Sequence, residues 1–203
     1  MRGSGIAVLA LLAASPAAAN SIAYIDQIGE GNWAGQVQTG SNTAQIRQTG
    51  ADLWAEQIQS GANTGIIVQT GQRQRASMDQ SGTNAALIAQ AGLANSATLY
   101  QDGAANRATI TQSGSNNRSS VNQSGSGNLS STTQRGHNNT AEHSQDGSRN
   151  EVTTVQDGNS TLSVTQIGKD NSLDSQISNG GQGFRIQQNG SGLNIKVIQT
   201  PGR

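Results

Sequence analysis

The side chains that could carry out acid–base or metal chemistry are few in this sequence and lie far apart. His137 and His143 are the only histidines, and there is no cysteine. No carboxylate stands at ligand spacing from either histidine, so we interpret both as polar fillers. Three aspartates each follow a glutamine of the repeat: Asp102, Asp146 and Asp157. They could act as an acid–base pair only if the fold brought two of them close together, and their spacing predicts that they lie in solvated turns instead. We therefore predict a protein that is not an enzyme and has no metal and no cofactor.

Amide side chains, by contrast, recur with a period. Glutamine returns in steps of 10 or 11 residues, glycine follows two places later, and asparagine often stands six places before. The position four places before the glutamine favours a small residue and the position two places before favours an aliphatic one, which gives the unit N-x-A-x-I-x-Q followed by x-G-x or x-G-x-x. Ile177 is the one place where this register continues without glutamine. An amide both donates and accepts hydrogen bonds, so a periodic row of amides can bond to itself.

The elements that must position these amides are β-strands. Residues marked at every second place lie on one face of a strand, and the apolar spacings of a helix are missing. Seventeen such strands can be counted between Ser21 and Gln199. Strands of equal length that cannot bury a face alone stack into a solenoid. We predict an all-β, amyloid-competent β-solenoid of about eight two-strand coils, with two parallel in-register sheets and a length of about 40 Å.

In-register stacking predicts two sets of residues that hold the coils together. Each buried amide would lie over an identical amide one coil away and be satisfied by repetition. The ladder residues include Gln27, Asn32, Gln38, Gln48, Asn95, Gln101, Asn106, Gln112, Asn117, Gln123, Asn128 and Gln134. The chain must turn just after each glutamine, where glycine adopts positive φ at little cost. The predicted turn glycines include Gly29, Gly40, Gly103, Gly114 and Gly125.

Composition and the N-terminal residues limit the class of protein. Only 32% of the residues are hydrophobic, too few for a conventional core, and the formal net charge is zero, which argues against a nucleic-acid partner. Residues 1–19 predict a secretory signal peptide, with Arg2 before an apolar run at 6–14 and small residues at the cleavage site. The mature solenoid would then cover residues 20–203.

Outward positions carry an aromatic pair and scattered charges. Trp33 and Trp54 each stand five places before a glutamine on neighbouring strands of one sheet, so we predict that they stack, with Arg75 next in the column. Such a pair is either a simple cross-strand contact or a contact surface for another protofibril or a ligand. Outward charges of the kind that limit unwanted sheet pairing are Arg47, Glu56, Asp79, Arg107, Glu142, Glu151 and Asp174.

The repeat resembles the curlin repeat, Q-x-G-x-G-N-x-A-x-x-x-Q. The match is literal at "QIGEGNWAGQVQ" (Gln27–Gln38), and relaxing the second glycine, as at "QDGAANRATITQ" (Gln101–Gln112), recovers most other units across the mature chain. The resemblance implies a subunit of bacterial curli, which are extracellular, cell-surface amyloid fibres (fimbriae) of the biofilm matrix with a role in cell adhesion. It implies partners as well: other copies of the chain, a second curlin subunit, periplasmic chaperones and an outer-membrane secretion channel.

Two departures make the chain more similar to the curli nucleator than to the major subunit. It has no Gly-rich N-terminal secretion segment, and the Q-x-G signature falls on nearly every strand. The pattern also becomes irregular and basic over residues 177–203. This segment is either a terminal repeat whose sequence has drifted or a basic end that contacts the outer-membrane surface through Arg185, Lys196 and Arg203.

Two other classes of protein stay open. A monomeric solenoid adhesin or ice-binding protein would favour a regular outward threonine column, whereas the relevant column reads Gln45, Ile66, Leu87, Thr109, Ser131, Thr153, Asp174 and Lys196. A β-helix enzyme that acts on polysaccharide would need a carboxylate or basic cluster, and none is visible. The prediction is a secreted structural subunit that polymerises by templated strand addition at uncapped ends.

Overall fold

The computed structural model describes residues 21–178 and 183–200, so the predicted signal peptide lies outside the described residues. The described residues form fifteen strands. These are β1 (Ile22–Glu30), β2 (Trp33–Gly40), β3 (Thr43–Ala51), β4 (Trp54–Gly61), β5 (Thr64–Gln72), β6 (Arg75–Leu93), β7 (Ser96–Ser115), β8 (Arg118–Ser126), β9 (Leu129–His137), β10 (Thr140–Ser148), β11 (Glu151–Asp157), β12 (Thr161–Lys169), β13 (Ser172–Ser178), β14 (Phe184–Ser191) and β15 (Asn194–Gln199). No helix among the described residues is long and apolar enough to cross a membrane.

The strands form two parallel stacks that face each other. The first stack runs β1, β3, β5, the second half of β6, the second half of β7, β9, β11, β13 and β15. The second stack runs β2, β4, the first halves of β6 and β7, β8, β10, β12 and β14. Because β6 and β7 each bend round a turn and serve both stacks, fifteen continuous strands supply seventeen strand positions. The predicted solenoid of about eight two-strand coils is confirmed.

The register places each residue over its counterpart one coil away. Gln112 pairs with Gln134 and Gly103 with Gly125, and the register shift that accompanies the 10-residue step after Gln80, between Thr83 and Ala85, lies in a turn and leaves the glutamines aligned. A slip of one residue would send every inward side chain to the surface, so changes in length are tolerated only in the turns.

The turns absorb the difference in step length through one residue. In every described step of 11 residues, the fourth residue after the glutamine has a positive φ, as at Asp52 (φ 55°) and Asn116 (φ 55°). Three of the four 10-residue steps, those that begin at Gln38, Gln59 and Gln80, lack this left-handed residue, and the strand follows directly.

The core between the two stacks is thin, and its chemistry changes along the axis. An apolar cluster fills the N-terminal coils around Ile46, Ile67 and Ile110, and a second one surrounds Leu162 and Leu173. Between these clusters the inward positions are polar and buried, namely Ser119, Ser130, Thr132, His143 and Thr154. Small side chains such as Ala44, Ala76 and Ala108 let the stacks approach each other in the N-terminal coils, and buried polar groups carry much of the rest of the interior.

Candidate assembly surfaces: the amide ladders and the solenoid ends

Glutamine ladders run along the inside of both stacks. In the first stack, Nε2 of each glutamine donates to Oε1 of the next, from Gln27 to Gln156, at 2.5–2.9 Å. In the second stack the same bonds run from Gln38 to Gln188 at 2.7–3.1 Å. All of them point from the N-terminal coil toward the C-terminal coil.

The second N–H of each glutamine ties one stack to the other. Nε2 of Gln112 also donates to the backbone oxygen of Ser96 (3.0 Å), and Nε2 of Gln123 donates to that of Arg107 (3.2 Å). Both donor hydrogens are therefore used, which lets these amides be buried without loss of hydrogen bonding. The glutamine thus closes its own coil while it binds the next.

Asparagine ladders lie at the strand entries and point the opposite way. Nδ2 of Asn128 donates back to Oδ1 of Asn106 (3.1 Å), and the backbone N–H of Asn128 donates to the same oxygen (3.1 Å). In the second stack, Nδ2 of Asn117 donates to Oδ1 of Asn95 (3.1 Å). Nδ2 also caps nearby carbonyls, as in the bond from Asn106 to the backbone oxygen of Gly125 (3.0 Å). Asn32 departs from this pattern, since Leu53 follows it in the column and only the backbone N–H of Leu53 reaches Oδ1 of Asn32 (3.0 Å).

The predicted turn glycines form columns in which backbones touch. Gly103 has a φ of 113°, and a Cβ added there would lie 2.1 Å from the backbone oxygen of Gly125. The remaining predicted turn glycines share the positive φ and the same close approach to the next coil: Gly29, Gly40, Gly114 and Gly125. Any side chain at these positions would force neighbouring coils apart.

The ladders stop at both ends with buried acceptors. At the N-terminal end of the second stack, Oε1 of Gln38 and Oε1 of Gln36 are shielded from solvent and have no hydrogen-bond partner among the described residues. Near the other end, Ile177 interrupts the ladder of the first stack. Oε1 of Gln199 is consequently a buried acceptor without a described partner. Both open ends are therefore polarised surfaces.

Exposed apolar side chains concentrate on the end strands. On β1, Ile22, Tyr24 and Ile28 are 61%, 51% and 60% exposed, and on β15 Ile198 is 59% exposed. The strands at both ends also keep one unpaired backbone edge within the described residues, because β1 pairs only with β3 and β15 only with β13. Such an edge is a template for another strand.

The outer faces carry the predicted aromatic stack and a few ion pairs. The rings of Trp33 and Trp54 stack with centroids 5.0 Å apart and an interplanar angle of 11°, and the guanidinium of Arg75 lies 4.0 Å from the ring centroid of Trp54. Arg149 pairs with Asp170 at 2.6 Å, and this hydrogen bond lowers the pKa of Asp170. The stack is a continuous outward column, as the register required.

Of the residues predicted for the basic end, the structure places two. The Lys196 Nζ lies 3.8 Å from Asp174 Oδ2, so its charge is partly balanced by a neighbouring strand. Arg185 is exposed on β14, and Arg203 lies outside the described residues, as do Asn179 and Gln182 of the irregular segment.

The titratable groups form no reactive constellation in the part of the chain that is described. His143 is buried, with Nδ1 2.9 Å from Oγ of Ser130 and Nε2 2.9 Å from Oγ1 of Thr154, and burial lowers its pKa to about 3. Burial also raises the pKa of Asp79. Within the described ranges, no three His, Cys, Asp or Glu side chains are grouped so that they could hold a metal ion.

Comparison with known proteins identifies the repeat. Residues 92–125 match the family model described as Curlin associated repeat, while a search of curated proteins gives no match to the chain. The matched segment contains one complete coil, and the same register continues through the described strands on both sides of it. The resemblance is confirmed for residues 92–125: this protein is a parallel β-solenoid, and that segment of it carries the Curlin associated repeat.

Proposed function

We propose that the chain is a secreted structural subunit of curli-type amyloid fibres, which polymerises by templated strand addition at the ends of the solenoid. The observation that carries the proposal is the pair of open ends. Each end offers an unpaired strand edge, and at the N-terminal end this edge stands beside a buried amide acceptor, Oε1 of Gln38, which has no partner among the described residues. A second copy of the chain has the matching unit on every strand.

The structural role follows from the same chemistry. A coil contributes two glutamine bonds and two strand pairings to its neighbour, and an added copy would repeat these contacts without new geometry. Fibres of this kind would act outside the cell, in adhesion and in the biofilm matrix, and the family resemblance supplies the secretion channel, chaperones and partner subunit as proposed partners. The nucleator-like role stays a prediction.

Polymerisation of the mature chain tests the proposal. Protein that begins at Asn20, released from denaturant at tens of micromolar, is expected to form thioflavin-positive fibres after a lag, with a cross-β reflection near about 4.8 Å. A soluble monomer that persists for days with the circular dichroism of a folded solenoid would instead identify the chain as an adhesin of the binding-module class.

The basic end is proposed as an anchor on an anionic outer-membrane surface. A chain truncated after Asp174 should lose attachment to cells and still seed fibres. Because this truncation also removes β14 and β15, a full-length variant with Arg185, Lys196 and Arg203 all changed to Gln is the matched control, since it removes charge and keeps the strands. If the charge variant attaches to cells as well as the unchanged chain does, the segment is only a terminal repeat whose sequence has drifted.

A further inference from the structure

The first and last strands of the described solenoid lie in the same stack. Both β1 and β15 belong to the first stack, which holds nine strand positions, while the second stack holds eight. A chain from Asn20 to Arg203 that forms these strands therefore presents an odd number of them. This parity decides how two copies can join end to end.

Joining by simple translation along the axis leaves a gap. In that arrangement β15 would pair with β1 of the next copy, and the second stack would lack one strand between β14 and β2 of the next copy. The facing edges of β14 and β2 would keep their backbone N–H and C=O groups unpaired around an empty strand position. Oε1 of Gln38, already buried and without a partner, would face this gap. Interior polar groups in proteins are almost always paired, so the translated junction is a poor one.

We propose that successive copies are related by a half-turn about the solenoid axis, so that the first stack of one copy continues into the second stack of the next. This inference rests on the proposed polymerisation. In such a junction β14 pairs with β1 of the next copy and β15 pairs with β2, and the strands alternate without a gap. The half-turn is allowed because both stacks are built from the same unit in the same register.

The ladder chemistry fits this junction. Glutamine Nε2 always donates toward the C-terminal side, as in the 2.8 Å bond from Gln112 to Gln134. The half-turn sets Gln199 of one copy against Gln38 of the next, so the side-chain N–H of Gln199 is aimed at the unpartnered Oε1 of Gln38. Gln188 lies against Gln27, but its Nε2 already donates to the backbone oxygens of Ser172 (3.0 Å) and Leu193 (2.9 Å), so it adds no ladder bond. Gln36 of the next copy lies against Val197, whose side chain has no hydrogen-bond donor, so Oε1 of Gln36 gains no bond there. The junction therefore restores the ladder only at the glutamine that marks the repeat unit, Gln38.

The outward columns fit it as well. Ile198, which is 59% exposed, would lie beside Val37 of the next copy after a half-turn and beside Asp26 of the next copy after a translation. Arg185 would lie beside Tyr24 of the next copy, where a guanidinium can cover an aromatic ring as Arg75 covers Trp54. After a translation Lys196 would lie beside Tyr24 instead, so a cation covers this ring in either arrangement. The outward contact that favours the half-turn is that of Ile198, which meets an apolar side chain and not a carboxylate.

Cysteine pairs at the junction distinguish the two arrangements. Tyr24→Cys combined with Arg185→Cys places two thiols on neighbouring strands only after a half-turn, and Tyr24→Cys combined with Lys196→Cys does so only after a translation. The natural chain has no cysteine, and within one molecule either pair is more than about 30 Å apart, so every cross-link formed is intermolecular.

Mild oxidation of fibres is expected to give disulfide-linked ladders on denaturing gels for the 24/185 pair and only monomer for the 24/196 pair. The reverse result, or fibres in which neither pair cross-links, overturns the half-turn while leaving polymerisation intact. Failure of both variants and of the unmodified mature chain to form fibres refutes the proposed function itself.

Removal of one repeat unit tests the parity directly. Deleting residues 118–128 takes out one whole strand position with its turn and leaves an even number. Helical reconstruction of fibres is expected to show about 180° of rotation per subunit, beyond the solenoid's own twist, in the full mature chain, with a rise of about 41 Å. The deleted chain should show none of this rotation. The same rotation in both fibres would refute the inference.

Discussion

Replacing Gln112 by Leu should break the ladder of the first stack at its centre. Gln112 accepts from Gln90 at 2.7 Å, donates to Gln134 at 2.8 Å, and is 1% exposed. Leucine would fill a similar volume, but one N–H of Gln90 and the oxygen of Gln134 would lose their partners inside the core.

The magnitude follows from these two orphaned groups. Each buried group left unpaired costs about 1–3 kcal/mol, and the apolar surface of leucine returns about 1 kcal/mol. The net loss is about 1–5 kcal/mol, or at least about five-fold in an equilibrium constant. The chain contains a natural example of the same break at Ile177, where the next amide oxygen, Oε1 of Gln199, is indeed buried without a described partner.

The concentration of monomer left in solution when assembly is complete measures this loss. Mature Gln112→Leu protein should leave at least about five-fold more soluble monomer than the unchanged chain, and its fibres should dissolve at a lower denaturant concentration. The matched control is Thr111→Leu, which adds the same side chain on the outer face, where surface substitutions usually alter stability by less than about 0.5 kcal/mol. Equal effects of the two substitutions would contradict the ladder as the source of stability.

Three further substitutions test the turns, the buried histidine and the aromatic column. Gly103→Ala should lower the free energy of unfolding by more than about 3 kcal/mol and prevent fibre formation, because its Cβ would lie 2.1 Å from a backbone oxygen. The control is Gly127→Ala, whose Cβ would lie 3.6 Å from the nearest atom. It should lower the free energy of unfolding by only about 1 kcal/mol, because of the left-handed φ. Folding keeps His143 neutral, so its contribution to the free energy of unfolding is complete above pH 6.5 and falls as the pH drops toward 3. At pH 5 the fibres should have lost about 2 kcal/mol of stability. A denaturant titration at each pH should show that His143→Val makes this loss much smaller. Trp54→Ala should reduce stability by about 1 kcal/mol and abolish the exciton signal of the stacked indoles in far-ultraviolet circular dichroism, with fibres still formed.

The fold could be predicted from the sequence because nearly every strand carries the same residue pattern, so each strand independently indicates the same alignment with its neighbours. One glutamine, such as Gln101, is weak evidence, but a column of glutamines with glycine always two places later leaves one alignment that keeps the inward faces inside. The stacked pair of Trp33 and Trp54 followed from the same alignment. Residues with no counterpart in the column, above all those near Ile177, are the ones for which sequence gave only competing hypotheses.

The sequence did not reveal the second left-handed residue of each long turn. Asp52 and Asn116 are of the types that tolerate positive φ, and a tally of Asn, Asp and Gly four places after each glutamine would have been the signal. Arg73, Ala94 and Arg149 occupy the same conformation, with φ of 52°, 54° and 53°, without any such preference. There the hydrogen-bonded strands on each side impose the turn, and tertiary structure overrides the local propensity.

The opposed directions of the two amide ladders also escaped sequence reasoning, and they matter for a growing fibre. Glutamine bonds point toward the C-terminal end, as from Gln112 to Gln134, while asparagine bonds point toward the N-terminal end, as from Asn128 to Asn106. Aligned amide dipoles add along a helix and produce a charge at each end. In this solenoid the two kinds of column oppose each other within every coil that carries both. The asparagine columns therefore cancel part of the dipole of the glutamine columns, so the net dipole grows more slowly as copies are added than it would with glutamine ladders alone.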